Sequence, residues 1–332
     1  MAGVNDRAWA LYQMYRNRVK IRYERDLASG SEPLTLDEIA DALGRLGIRP
    51  GDRVMVHSQS AVLGQVEGGL FGVIRLLQDQ VGPRGTLMMP TYPSRTSTWE
   101  NRFLADKLFD VRRTPSQMGL LTELFRRAKG VHRSLHPTHS TAVWGADAEE
   151  WATGHADDPS PFHPGSPFGR LHEAGGKVVF LELDGLHLTQ AHVAEDILWE
   201  RFPSRICIPD PCRMRVRDRK KREWRVPSLL HDPRQSSLLD PRWLYPKLEK
   251  RGVVRRFWLR NYIPFVMVEA RPFVDELIRL ATTRGRTLYT RTTTYGLIRA
   301  ASVVRKSTAP RATRFFPAMR TAHGILPPGA VE

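Results

Sequence analysis

The chain lacks most of the features that mark secreted, membrane-spanning and disulfide-rich proteins. Only Cys207 and Cys212 occur among its 332 residues, which is too few for a disulfide framework, and they lack the neighbours of a zinc site. No apolar run is long enough to span a bilayer, and no secretory leader opens the sequence. Because 41% of the residues are hydrophobic, we expect a soluble, cytoplasmic protein with a substantial core.

Common nucleotide and metal motifs are also missing. The sequence contains no Walker lysine pattern, no G-x-G-x-x-G and no H-E-x-x-H. A metal hydrolase stays open as an alternative, because possible ligands recur at His136, His139, His163, His187, His192 and Glu195. The proline inside the His136–His139 pair disfavours that reading, and we expect no bound metal.

Acidic residues are scarce, and the net charge is +16. The excess lies near the N-terminus, in residues 213–222, and in residues 284–320, which contain no carboxylate. Such a balance favours an anionic partner: a nucleotide, an acidic carrier protein, or, as an accessory contact only, nucleic acid or a membrane surface. An arginine-rich soluble enzyme is the plainer alternative, and a homodimer is left open.

Strand and helix signals alternate through residue 202 and predict an α/β/α sandwich with a mostly parallel sheet. Residues 5–27 are expected to form a basic helix, and Thr35 with Glu38 a capping box. Thr114 and Pro115 are expected to begin a helix that ends near Gly130. Residues 213–226 predict a hairpin within a small β-rich C-terminal subregion. We expect a helical arm at 1–34, a catalytic domain at 35–283 and a basic tail at 284–332.

His192 is the most informative candidate for catalysis. An apolar run at 177–183 predicts a buried strand, and Thr189 predicts a helix start, so His192 falls in a first helical turn beyond a strand end. The positive end of a helix dipole favours neutral imidazole, which can act as a base near pH 7. Glu195 follows on the same helix face. The alternative is a histidine that merely packs at a sheet edge.

Three more clusters follow strand ends. Residues 57–64 combine small and hydroxyl side chains before a helix, which suits a phosphate or thioester ligand, although an ordinary loop has the same composition. Residues 133–140 and 163–171 are rich in histidine, serine and proline.

In this order, the clusters resemble the aminoglycoside 3-N-acetyltransferase family of antibiotic N-acetyltransferases. The resemblance covers roughly residues 36–275 and rests on residues 56–58, 85–91, 114–116, 119, 123, 125–127, 130, 133–134, 136–137, 140, 165–167, 189, 192 and 195. It implies an acetyl-CoA or other acyl-CoA co-substrate and direct transfer to an amine, with His192 as general base. The CoA-binding residues that it implies are His57, Ser58, Gln59, Ser60, Val62, Leu63, Thr114, Arg133, Ser134, His136 and Ser140.

The same resemblance implies a carboxylate, tens of residues after the base, that orients its imidazole. Leu230 stands where some members carry a glutamate, so Asp232 becomes the expected orienting residue, with Glu223 as the second choice. Tyr92, Asp110, His163 and His231 are the candidate substrate-binding residues.

Charge bears on the identity of the acceptor. A strongly positive protein repels polycations, and residues 95–110, expected beside the acceptor, mix carboxylates with cations. We therefore expect a neutral or anionic amino sugar to be preferred over an aminoglycoside. An acyl carrier protein as donor is an alternative, and an anionic-surface-binding protein without catalysis is another.

Overall fold

The computed structural model describes residues 5–94, 105–185, 188–204, 206–208, 210–236 and 238–289. The described residues up to Tyr289 form one compact unit. The predicted basic tail lies outside the described residues from residue 290 onwards, as do His187 and most of the stretch expected beside the acceptor, residues 95–104.

Helices and strands alternate along the described chain as the hydrophobic pattern predicts. The helices are α1 (Asn5–Ala28), α2 (Leu36–Leu46), α3 (Gly69–Val81), α4 (Leu120–Phe125), α5 (Ala148–Ala152), α6 (Pro167–Glu173), α7 (His192–Leu198), α8 (Pro233–Ser236), α9 (Tyr245–Lys250) and α10 (Ala270–Arg284). The strands are β1 (Arg53–Ser58), β2 (Thr86–Pro90), β3 (Phe109–Asp110), β4 (His132–Arg133), β5 (Thr141–Gly145), β6 (Lys177–Leu181), β7 (Cys212–Arg217), β8 (Glu223–Ser228), β9 (Val254–Leu259) and β10 (Ile263–Glu269).

Seven of the described strands form the central sheet, in the order β4-β5-β2-β1-β6-β10-β9. β1 pairs in parallel with β2 and β6, and the outer pairings are antiparallel. β5 and β10 run opposite to β1, and β4 and β9, which are antiparallel to β5 and β10, run in the same direction as β1. Five of the seven strands therefore share one direction. The predicted mostly parallel sheet is confirmed. The sequence had not predicted that the runs 253–259 and 263–268 would join it.

Side chains alternate between the two faces of the sheet and build two separate cores. On β1, Val54 and Val56 pack with α2, α3 and α4, whereas Met55 packs with residues of α6, α7 and α10 on the other face. This alternation follows from the two-residue period of a strand, and it produces the expected α/β/α sandwich.

A second sheet, β3-β7-β8, contains the predicted hairpin. The helix expected from Pro115 begins only at Leu120, after Gly119, so this expectation was wrong. The Oγ1 of Thr114 accepts a hydrogen bond from the amide of Asp110 and does not cap a helix. Threonine side chains readily form such local hydrogen bonds with the backbone in place of a helix cap.

The N-terminal helix packs against the sandwich. Val19 and Tyr23 of α1 are buried, and the amide of Leu34 donates to the Tyr23 hydroxyl at 2.9 Å. Thr35 and Glu38 form the predicted capping box at the start of α2. Among the described residues, no helix has both the length and the apolar character needed to cross a bilayer.

Candidate active site

The predicted functional segments gather at one edge of the central sheet. β1, β2 and β6 end there at Ser58, Pro90 and Leu181, and the loop between β4 and β5 lies at the same edge because β4 runs in the same direction. Carboxyl ends of parallel strands are where open α/β sheets place ligands. The clusters at 57–64 and 133–140 therefore share a location that their sequence separation does not reveal.

His192 begins α7, as expected for a residue of the first helical turn. The turn before it, Thr189–Ala191, is a 3-10 helix rather than the start of α7. Gln190, which is fully buried, fixes this turn by donating from Nε2 to the carbonyl of Phe168 at 2.9 Å. The position of His192 thus depends on a contact between the turn that precedes α7 and the helix α6.

Glu195 orients the His192 imidazole. The Nδ1 of His192 lies 2.9 Å from Glu195 Oε2, and the hydroxyl of Tyr289 donates to Glu195 Oε1 at 2.6 Å. An ionised carboxylate can only accept, so Nδ1 carries the proton of the neutral ring and Nε2 carries the lone pair. The His192 and Glu195 side chains are 14% and 12% exposed, so both are largely, but not fully, shielded from water.

Glu195, rather than Asp232 or Glu223, meets Nδ1 of His192, because residues i and i+3 face each other on a helix. The Asp232 amide bonds the carbonyl of Ile206 at 2.8 Å, and an orienting role for Asp232 stays a prediction. Glu223 lies on the exposed hairpin, where its carboxylate binds Arg217 and Arg215. Those arginines lower the pKa of Glu223.

His231 packs directly against His192. Its ring centroid is 4.3 Å from that of His192, and Phe162 lies 4.9 Å from His192. His231 is only 2% exposed. Burial, together with nearby His192 and His139, lowers the pKa of its imidazole well below the usual value.

His231 belongs to a larger buried group, which we name the histidine cluster: His136, His139, His155, His163, His192 and His231, packed with Phe162 and Phe168. Tyr92 meets this cluster edge-on at His139, with ring centroids 4.8 Å apart. Three of the four candidate substrate-binding residues, Tyr92, His163 and His231, therefore come together. Asp110 lies apart on β3, 3.3 Å from Arg217.

The loop after β1 is held by a residue that the sequence analysis missed. Glu182, 1% exposed, accepts the amides of Ala61, Val62 and Leu63 at 2.6–3.1 Å. It adopts a φ of 60°, a left-handed conformation that is unusual for glutamate. These amides are therefore already engaged, and the side chains of Val62 and Leu63 are fully buried.

The other predicted CoA-binding residues of this loop lie at the end of β1. The His57 ring stacks on Phe180 at 5.0 Å, and burial lowers the pKa of its imidazole to about 4. The amide of Gln59 donates to the carbonyl of Leu181 at 3.0 Å. Ser58 and Ser60 are half-buried beside them.

The segment 133–140 forms a dense internal network. Arg133, 4% exposed, donates from Nε to Thr91 and Ser140 and from its terminal nitrogens to the carbonyls of Thr91 and Thr114. Burial lowers the pKa of Arg133 to about 9. Ser134 bonds His155, and the Nδ1 of His136 accepts the amide of His139. These contacts fix the shape of the edge whether or not the residues also touch a ligand.

Cys207 lies beside this site, in a backbone bridge with His231. Burial raises the pKa of its thiol, and the nearby carboxylates of Glu195 and Asp196 raise it further. The thiol therefore stays protonated near neutral pH and is a poor nucleophile. This arrangement disfavours an acyl-cysteine intermediate.

Comparison with known proteins places this geometry in context. The family model described as aminoglycoside 3-N-acetyltransferase matches residues 55–281. The chain is 37% identical over 175 residues to aminoglycoside N(3)-acetyltransferase VII of Streptomyces paromomycinus, covering 49% of this chain and 60% of that protein. It is 33% identical over 180 residues to the SPbeta prophage-derived aminoglycoside N(3')-acetyltransferase-like protein YokD of Bacillus subtilis (strain 168), covering 49% and 65%. The matches thus span less than two thirds of these relatives.

Solved structures show the same fold. The crystal structure of aminoglycoside acetyltransferase AAC(3)-Xa superposes with a TM-score of 0.64 at 26% identity, covering 81% of this chain and 98% of that one. The AAC-IIIb binary complex with CoASH superposes with a TM-score of 0.62 at 24% identity, covering 76% and 98%.

Proposed function

The chain belongs to the aminoglycoside 3-N-acetyltransferase family, and we propose that it transfers an acetyl group from acetyl-CoA to the amine of an amino-sugar acceptor. The observation that carries this proposal is the His192–Glu195–Tyr289 chain of hydrogen bonds at the carboxyl edge of the sheet. Its relatives are named for aminoglycosides, so compounds of that class are the first acceptors to test.

His192 acts as the general base. The acceptor attacks as the free amine, because an ammonium has no lone pair. As its nitrogen bonds to the thioester carbonyl carbon, Nε2 takes the proton that this nitrogen must lose to become an amide. Glu195 fixes the tautomer and stabilises the imidazolium that forms, and Tyr289 holds Glu195 in place. The new C–N bond forms as the C–S bond breaks, and the proton held by His192 goes to the departing thiolate.

Acetyl-CoA supplies an already activated carbonyl, so no covalent enzyme intermediate is needed. The residues of this chain fit its phosphates. Four cations, Arg112, Arg113, Arg217 and Lys221, line a cavity together with Asp110 and Asp218, and Arg112 and Arg113 directly precede Thr114. Phosphate groups prefer such guanidinium and ammonium partners. The amides of the β1 loop are engaged by Glu182 and are not available to a ligand. We therefore place the pantetheine arm along the half-buried polar side chains of Ser58, Ser60 and Thr114.

The donor is tested by thermal unfolding. Acetyl-CoA should raise the melting temperature, because a ligand that binds only the folded state stabilises it. Ser58→Trp should abolish the shift, whereas Lys129→Gln, a surface substitution outside the proposed cleft, should retain it. An unchanged shift in Ser58→Trp would place the donor elsewhere. A shift with an acylated carrier protein but not with acetyl-CoA would favour the alternative donor.

The reaction itself is tested by thiol release. Wild-type protein is mixed with acetyl-CoA and a panel of aminoglycosides, neutral amino sugars and nucleotide-linked amino sugars, and free CoA thiol is followed with a chromogenic disulfide. We expect release that depends on an acceptor amine and on enzyme concentration. No release above the acceptor-free rate with any member of the panel would contradict the proposal.

A further inference from the structure

Three side chains at the base form a set that suits a metal ion. One ligand atom from each of His192, Glu195 and His231 lies within 4.8 Å of the other two, and this is the one such group of three found among the described residues. Two imidazole nitrogens and a carboxylate oxygen are a ligand set that Zn²⁺ commonly takes, with a further position left for water. We propose that His192, Glu195 and His231 bind a divalent transition-metal ion, Zn²⁺ by this chemistry, and that the bound ion blocks acyl transfer.

The geometry requires little movement. Ligands of tetrahedral Zn²⁺ lie about 2.0–2.1 Å from the metal and so roughly 3.3 Å from each other. His192 Nδ1 and Glu195 Oε2 are already 2.9 Å apart, and the His231 ring packs against His192 with centroids 4.3 Å apart. Side-chain rotations therefore suffice to bring the three ligand atoms onto one ion, and the sandwich itself does not change.

His231 gives the proposal an independent observation. Its Nε2 is buried and has no hydrogen-bond partner among the described residues. A buried polar nitrogen without a partner costs free energy, and the reaction proposed for His192 does not use His231. Coordination would give this nitrogen a partner. In the sequence, His192 and Glu195 were counted among possible metal ligands, but His231 was not.

The residues around the three ligands also suit a cation. Tyr289 donates to the second oxygen of Glu195 at 2.6 Å, and such outer hydrogen bonds orient ligating carboxylates. Asp196, which is 4% exposed, follows Glu195 on the same helix and adds negative charge. A cation is therefore favoured here although the whole chain carries +16, because nearby charges act more strongly than distant, screened ones.

The consequence follows from the chemistry of imidazole. When Zn²⁺ takes the Nδ1 lone pair of His192, the one ring proton of the neutral imidazole sits on Nε2, so Nε2 has no lone pair left to accept a proton from the acceptor. The ion would thus inhibit rather than catalyse. This second half of the proposal rests on the function proposed above, whereas metal binding does not.

Binding is tested without any acceptor or donor. Protein stripped with a chelator is dialysed against ZnCl₂, and protein-bound zinc is counted by atomic emission. We expect one additional ion per chain in the wild type relative to His231→Phe, and Glu195→Gln should weaken the same site by about tenfold or more. His172→Gln is the matched control, because His172 also contacts a carboxylate, Asp275 at 3.1 Å, but belongs to no group of three ligands found among the described residues.

Each outcome decides the binding claim. Equal zinc content in wild type, His231→Phe and Glu195→Gln would overturn it, as would loss of the ion in His172→Gln. If His231→Phe does not fold, Glu195→Gln decides. Co²⁺ provides a second readout, since intense visible absorption bands mark a low-coordinate site. Weak octahedral bands in the wild type, unchanged in Glu195→Gln, would also overturn the claim.

Inhibition is then tested in the thiol-release assay. ZnCl₂ should suppress wild-type turnover, and a chelator should restore it. Stoichiometric binding without inhibition would overturn the blocking role while leaving the site. If no acceptor supports turnover, the function proposed above fails, and dialysis still decides the metal site.

Discussion

Acid should destabilise this protein in a range where carboxylates do not yet titrate. Burial lowers the pKa of His57 to about 4 and that of His139 to about 3, against 6.5 in an unfolded chain. Because the folded pKa of each histidine is depressed, its contribution to the free energy of unfolding is fully present above pH 6.5. That contribution is lost as the pH falls towards the folded pKa. Each of these histidines therefore lowers the free energy of unfolding at pH 5.0 by about 2 kcal/mol relative to pH 8.0.

The sum is large relative to the stability of a domain. His57 and His139 together remove about 4 kcal/mol, out of roughly 5–15 kcal/mol in total. Burial lowers the pKa values of His136, His155 and His231 in the same direction. Arginine partners lower the pKa values of Glu123 and Glu276 to about 2. The stabilisation from those carboxylates is lost only below about pH 4.5, so the interval from pH 6.5 to 5.0 isolates the histidines.

The assay is urea unfolding followed by tryptophan fluorescence at pH 8.0, 6.5 and 5.0. His57→Leu should lessen the loss between pH 8.0 and 5.0 by about 2 kcal/mol. Val56→Ala, at a fully buried neighbour on the same strand, should lower stability equally at each pH and keep the full loss. A wild-type free energy of unfolding that changes by less than about 1 kcal/mol between pH 8.0 and 5.0 would refute the reasoning.

Other predictions concern the site and its supports. Glu195→Gln should lower kcat by up to about 10⁴-fold, because an amide can hold the wrong imidazole tautomer. Tyr289→Phe should lower kcat roughly tenfold, because it removes one charge-assisted hydrogen bond. Wild-type kcat values for both variants would contradict the assigned chain of hydrogen bonds. Glu182→Gln should lower the free energy of unfolding by at least about 2 kcal/mol, measured in urea, since its carboxylate holds three buried amides; a change near zero would show that the loop holds itself. Lowering the salt should reduce kcat/KM for a polycationic aminoglycoside and leave that of a neutral amino sugar nearly constant, because the chain carries +16; a rise for the aminoglycoside would reveal a cleft whose local charge is negative.

The sequence predicts the central strands well, because β1 and β6 are short apolar runs bounded by turns. It also finds His192, since a strand followed by a helix start fixes where a catalytic side chain can lie. It does not find Glu182 or Tyr289, whose contacts with the site span about 120 and 94 residues of chain. No local pattern encodes such contacts.

The carboxylate beside His192 shows what the order of segments in a family leaves open. That order favoured Asp232, whereas in the structure Glu195, one helical turn from His192, lies within hydrogen-bond distance of its imidazole. Likewise, the composition of the loop after β1 suits a phosphate or thioester ligand, but three of its amides donate to the buried carboxylate of Glu182. In both places the tertiary neighbour, rather than the composition of the loop, decides which polar groups are available.

The central claim, that His192 is the general base for acyl transfer, is tested most directly by acceptor-dependent thiol release from acetyl-CoA under saturating substrates. His192→Ala should retain the wild-type melting temperature and its shift with acetyl-CoA, and should lose turnover by about 10²–10⁴-fold. His172→Gln, a histidine outside the cluster, should remain active. Turnover of His192→Ala near the wild-type rate would contradict the account.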